Sequence, residues 1–145
     1  MATKLQVVFD CADPGKQAEF WAAALDYRLH DPPDGFSTWD EWAAAQGIPD
    51  DHRNDWSAAE DPRGVGPRLY FQRVPEGKVA KNRVHLDLGV SGPPGTSVEE
   101  RKTRIWAEVA RLVALGASDR RGAIDKDGEF WVRMNDPEDN EFCVQ

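Results

Sequence analysis

Two stretches of this chain follow the same plan. Residues 56–62 read WSAAEDP and residues 131–137 read WVRMNDP, each a Trp, four residues, then Asp-Pro. Each copy leads through a polar or Gly-rich turn into a short apolar segment, RLYFQRV at 68–74 and EFCVQ at 141–145. The copies lie 75 positions apart. A second pair precedes them: LQVVFDC at 5–11 and RVHLDLGV at 83–90, both reading as buried strands. Aligning Gln6 with His85 gives an offset of 79 for that pair. Asp-Pro is a common turn dipeptide and means little alone. Here order, spacing and element type agree, which points to an internal duplication with small insertions. Each unit then reads as strand, helix and further strands.

Each opening strand leads into a helix. Asp13 and Pro14 suit a helix N-cap and first position, and the pattern continues over residues 14–25 with Phe20, Trp21, Ala24 and Leu25 on one stripe. In the second unit a helix is expected over 97–115, with Ser97 and Glu100 as a capping box and Gly116 as the left-handed stop. Its stripe is Ile105, Trp106, Val109, Leu112 and Val113. The first unit also carries an insertion, residues 31–55, without a counterpart in the second. Within it Thr38 and Glu41 form another capping box, for a short helix through Ala45; residues 47–55 read as loop. Residues 75–82 are the expected linker.

The chain has 145 residues, 40% hydrophobic and 30% charged, with a net charge of −8. That balance fits a globular protein and disfavours nucleic acid or an anionic membrane as partner. No apolar run is long enough to span a bilayer, and the N-terminus has no signal-peptide pattern, so a cytoplasmic protein is expected. Cys11 and Cys143 then read as reduced thiols. CxxC, HExxH, GxSxG and Gly-rich phosphate-loop motifs are absent.

Strand alternation nominates the site. If His85 faces inward, so does Asp87, and Glu141 shares a face with Cys143. In the first unit Gln6 corresponds to His85, while Tyr70 or Gln72 corresponds to Glu141. His and Glu are good ligands for a divalent transition metal; amides are weak ones. Lys78, Lys81 and Arg83 make a local positive patch beside His85, and the acidic run 136–139 reads as a solvated turn. His30 and His52 read as exposed. Of the six tryptophans, Trp21 and Trp106 are assigned to the core, and Trp56 and Trp131 to matched structural places. Trp39 and Trp42, three apart in the insertion, are the candidates for contact with a flat apolar ligand.

The segments FDCADP, FWAAALDY, GPRLYFQRVPEGK, KNRVHLDL, RLVALGA and DPEDNEFCV, in this order, resemble the glyoxalase-like branch of the vicinal oxygen chelate superfamily. That group includes glyoxalase I, bleomycin-resistance proteins and extradiol dioxygenases. The resemblance implies an α+β fold: two βαβββ modules, about 1–76 and about 82–145, forming a cupped mixed sheet around one cleft in a single domain. It implies one divalent metal (Zn²⁺, Ni²⁺, Fe²⁺ or Mn²⁺) held by His85, Glu141, Gln6 and Gln72, with Tyr70 as the alternative to Gln72. A lyase or isomerase acting on vicinal oxygens would follow, with Glu141 or Asp87 moving the proton. The alternative is a metal-free, bleomycin-resistance-type protein that sequesters a small aromatic or cationic compound. Trp39, Trp42, Tyr70, Arg83 and Cys143 are the expected ligand contacts, and a homodimer is compatible with either.

Overall fold

A computed structural model describes residues 1–145, which divide into two compact units, Met1–Gly77 and Lys78–Gln145. The first contains β1 (Gln6–Cys11), α1 (Pro14–Leu25), β2 (Arg28–Leu29), α2 (Trp39–Ala45), a 3₁₀ turn at Asp50–His52, β3 (Trp56–Glu60) and β4 (Arg68–Arg73). The second contains β5 (Leu86–Leu88), α3 (Val98–Ala114), β6 (Ala123–Lys126), β7 (Glu129–Asn135) and β8 (Glu141–Val144). Each unit is βαβββ, with an open four-stranded sheet ordered β1-β4-β3-β2 or β5-β8-β7-β6. In both, the first strand runs parallel to the last and the remaining pairs are antiparallel. The fold is therefore α+β, and the duplicated sequence plan is a duplicated topology.

Period-two alternation explains what each sheet buries. In the first unit Phe9, Leu69, Phe71 and Ala59 face α1, where Phe9 lies 5.3 Å from Trp21 and 5.1 Å from Phe71 between ring centroids. Asp13 caps α1, its carboxylate accepting from the Lys16 N–H at 3.3 Å. In the second unit Val132, Met134, Phe142 and Val144 are buried, as are Ile105, Val109 and Leu112 of α3. Ser97 Oγ accepts from the Glu100 N–H at 3.2 Å, and Gly116 ends the helix region at φ +114°. A side chain there would impose strain.

The two Asp-Pro motifs prove to be built turns. Asp61 accepts from the backbone N–H groups of Arg63, Val65 and Gly66, and these bonds hold its carboxyl at about 2. Asp136 accepts from the N–H groups of Glu138 and Asn140. It is 3% exposed, so the expectation of a solvated acidic run is corrected for its first member. The carboxylate replaces backbone partners that a tight turn leaves unsatisfied.

Other expectations also change. Trp106 is 45% exposed, beside Phe130 rather than in the core. Ile105, Val109 and Leu112 occupy the inward line, and the next residue points about 100° away from it. Val113, also placed in that stripe, is exposed. The strand expected over 83–90 is regular only over Leu86–Leu88, although the Val90 N–H still donates to the Gln145 carbonyl at 2.6 Å. The short edge strands β2 and β6, and the turn Asp50–His52 inside the expected loop, carry little apolar signal.

Candidate functional site

In each unit the helix covers one sheet face and leaves the other for chemistry. On the first unit's free face stand Gln6, Val8 and Asp10 of β1, and Arg68, Tyr70 and Gln72 of β4. The parallel register sets Gln6 beside Arg68, Val8 beside Tyr70 and Asp10 beside Gln72. The second unit sets Asp87 beside Cys143 and Leu86 beside Phe142, which brings His85 level with Glu141. The place matching Glu141 is therefore Arg68, and the expectation of Tyr70 or Gln72 is corrected. The two closing strands already carried this information: RLYFQ laid on EFCVQ pairs Leu69 with Phe142 and Phe71 with Val144, all four buried. Differing turn lengths obscured it.

The insertion in the first unit forms one wall of a cavity of about 200 Å³. Trp39, Trp42 and Arg53 come from the insertion; Trp56, Arg68 and Tyr70 come from β3 and β4. Thr38 caps α2, the helix that carries both indoles, by accepting from the Glu41 N–H at 3.1 Å. Trp39 donates its Nε1–H to the His30 carbonyl at 2.8 Å and meets Trp42 edge-on at 5.5 Å. His30, expected to be unremarkable, also lines this cavity; its Nδ1 lies 3.0 Å from Glu60 Oε2. Arg53 is paired with Asp50 at 2.7 Å. Arg68 lies 5.4 Å from the Tyr70 ring centroid and donates to Gln6 Oε1 at 2.6 Å. Trp56 was expected to be structural, but it lines this cavity and is partly exposed. Its place at the start of a strand beside an insertion was the available signal.

The second unit's free face forms a wider hollow of about 490 Å³, lined among others by His85, Asp87, Trp131, Glu141 and Cys143. Glu141 is 8% exposed. Its Oε1 accepts from Arg121 at 2.9 Å, and its Oε2 from the Asn82 N–H at 2.9 Å with Lys78 at 3.1 Å. Burial opposes its ionisation. The N–H groups of Asn82 and of Glu141 itself, together with Lys78, outweigh that and hold the carboxyl at about 2. Lys78 thus belongs to an ion pair and not to a free positive rim. Arg83 lines neither hollow. His85, Asp87 and Cys143 gather, with one ligand atom of each within 4.8 Å of the others. Burial, and then Asp87, push the Cys143 thiol up.

These residues do not fit a four-ligand centre made from Gln6, Gln72, His85 and Glu141. Gln6 Oε1 is engaged by Arg68, and Gln72 donates to Asp10 at 2.7 Å, four residues farther along the strand. Both Glu141 oxygens are held by cations. Beside Gln6, at the place matching Glu141, the Arg68 guanidinium has no lone pair to offer a metal.

A family model described as a glyoxalase-like domain matches residues 6–145. No curated protein matches the sequence significantly. Among solved structures, the fold is similar to a mutant of the fosfomycin resistance protein FosX from Listeria monocytogenes complexed with Mn(II) and 1S,2S-dihydroxypropylphosphonic acid. That match has TM-score 0.60 and 10% identity, covering 100% of this chain and 90% of the other. It is also similar to the bleomycin-binding protein of Streptomyces verticillus complexed with copper(II)-bleomycin, at TM-score 0.53 and 12% identity, covering 100% and 96%. A glyoxalase/bleomycin resistance/dioxygenase family enzyme from Burkholderia phytofirmans matches at TM-score 0.57 and 12% identity, covering 96% and 94%. At these identities the likeness concerns the fold. No helix of the chain is long and apolar enough to cross a membrane.

Proposed function

The chain belongs to the glyoxalase-like domain family, and on that premise we propose that it is a small-molecule-binding protein whose ligand seat is the aromatic cavity of the first unit. One observation carries the reading: an insertion absent from the second unit supplies Trp39 and Trp42 to a cavity completed by Trp56 and Tyr70. Aromatic walls favour a flat ligand, which gains contact area at small entropic cost. Arg68 refines the ligand class. Its guanidinium lines the cavity and is bonded to a neutral amide rather than a carboxylate. A planar aromatic compound bearing a carboxylate or similar acceptor suits it better than a cationic compound. A bleomycin-binding protein among the structural neighbours agrees with sequestration as the task.

The competing reading is a metal-dependent lyase working through Gln6, Gln72, His85 and Glu141. It has less support, because its donor atoms are held by Arg68, Lys78 and Arg121 or lie out of register.

Intrinsic tryptophan fluorescence against a panel of aromatic acids, amines and neutral analogues tests the proposal. Trp39→Ala and Trp42→Ala are expected to weaken the best ligand about tenfold, roughly 1.4 kcal/mol. Trp106→Ala is expected to leave affinity unchanged. Arg68→Gln should remove the preference for acids over their neutral analogues. Unchanged affinity in both insertion variants would sink the assignment.

A further inference from the structure

We propose that His85, Asp87 and Cys143 form a second, separate seat, for one borderline-soft divalent cation such as Zn²⁺ or Co²⁺. It lies in the second unit and does not depend on the aromatic cavity, so either proposal can fail alone. The three side chains share one sheet face. His85 and Asp87 are two apart along the chain, and Asp87 is the register partner of Cys143 on the neighbouring strand. His85 Nε2 is 3.4 Å from Asp87 Oδ1, and the three donor atoms lie within 4.8 Å of one another. A tetrahedral ion with bonds of about 2.0–2.3 Å separates its ligands by roughly 3.3–3.8 Å, so small rotations of exposed side chains complete the seat.

The donor set selects the ion. Imidazole nitrogen, carboxylate oxygen and thiolate sulfur suit Zn²⁺ or Co²⁺, whereas Mg²⁺ and Ca²⁺ prefer oxygen ligands alone. On binding, the Cys143 thiol transfers its proton to solvent as sulfur bonds to the metal. Thiolate and carboxylate together then balance the dication. Two cations border the seat, but each is turned to a carbonyl: Arg133 donates to Arg121 O, and Lys81 to Asn82 O at 3.4 Å. His85 and Asp87 are each more than 40% exposed by side chain, which leaves an approach for the ion and an open fourth position for water or ligand.

The test uses the full chain, freed of metal by chelator, kept reduced and titrated with Co²⁺ alone. One equivalent should bind and give an intense near-ultraviolet band from thiolate-to-cobalt charge transfer; Zn²⁺ should displace it. Cys143→Ser should abolish the band and weaken binding at least tenfold. His85→Ala and Asp87→Asn, both at exposed positions that leave folding intact, should also weaken it at least tenfold. Glu141→Gln should keep the band. Cobalt bound without the band, binding indifferent to Cys143→Ser, or binding lost in Glu141→Gln but kept in Cys143→Ser each overturns the proposal. The last outcome would instead favour the metal reading through Glu141.

Discussion

Glu141 shows how much a residue's role depends on its neighbours. A Glu near the end of a chain offers two free ligand oxygens on paper; here both are taken, by Arg121 on one side and by Lys78 and the Asn82 N–H on the other. Glu141→Gln keeps an oxygen for Asn82 but leaves two cations without their counter-charge, and is expected to cost about 1–3 kcal/mol at neutral pH. Urea unfolding at several pH values checks this. The carboxyl is depressed from 4.5 to about 2 in the folded state, so its stabilisation is complete above the unfolded value. The gap between wild type and variant should therefore hold from neutral pH down to about 4.5, shrink below it and close near 2. Gln17 is the opposite case. It is fully buried on α1 and neither amide atom has a hydrogen-bond partner. Gln17→Met conserves volume and removes that penalty, so the urea midpoint should rise, by a gain of about 1–3 kcal/mol.

At the scale of elements, local chemistry sets where helices begin, and packing decides which face turns inward. Ser97 caps α3 through the Glu100 N–H, so Ser97→Ala should lower stability by about 1 kcal/mol in equilibrium unfolding, with secondary structure otherwise retained. The starts of α1, α2 and α3 were legible because a cap and its partner sit three residues apart on the chain. Trp106 lies outside the core, against the expectation from its stripe, because hydrophobicity alone does not separate the centre of a helical stripe from its edge. One residue's rotation puts a large indole at the rim. The two-residue strand β2 was invisible for another reason: its pairing with β3 is decided by a partner some thirty positions away, not by its own side chains.

For the whole molecule, the two units share a topology and differ in equipment. The first adds an insertion and gains an aromatic cavity; the second leaves its sheet face open and gathers imidazole, carboxylate and thiol. Acid should weaken the whole chain, since Asp61 in one unit and Glu141 in the other both have folded carboxyls near 2. Their stabilisation is present above their unfolded values of 3.8 and 4.5 and is lost toward 2, so the wild-type urea midpoint should fall steadily between pH 5 and 2. The net charge of −8 moderates the fall, because protonation also relieves repulsion among carboxylates. The sequence by itself determined the repeated strand–helix–strands plan, the helix caps and, within the second unit, that His85 alternates with Asp87 and Glu141 with Cys143 on shared strand faces. Those depend on spacing along one chain. Only the tertiary structure decided that Arg68 stands beside Gln6, that Lys78 and Arg121 hold Glu141, and that Trp56 joins Trp39 and Trp42 around a cavity. Those depend on register between strands and on the reach of long side chains from distant loops, quantities that periodicity in one segment does not contain.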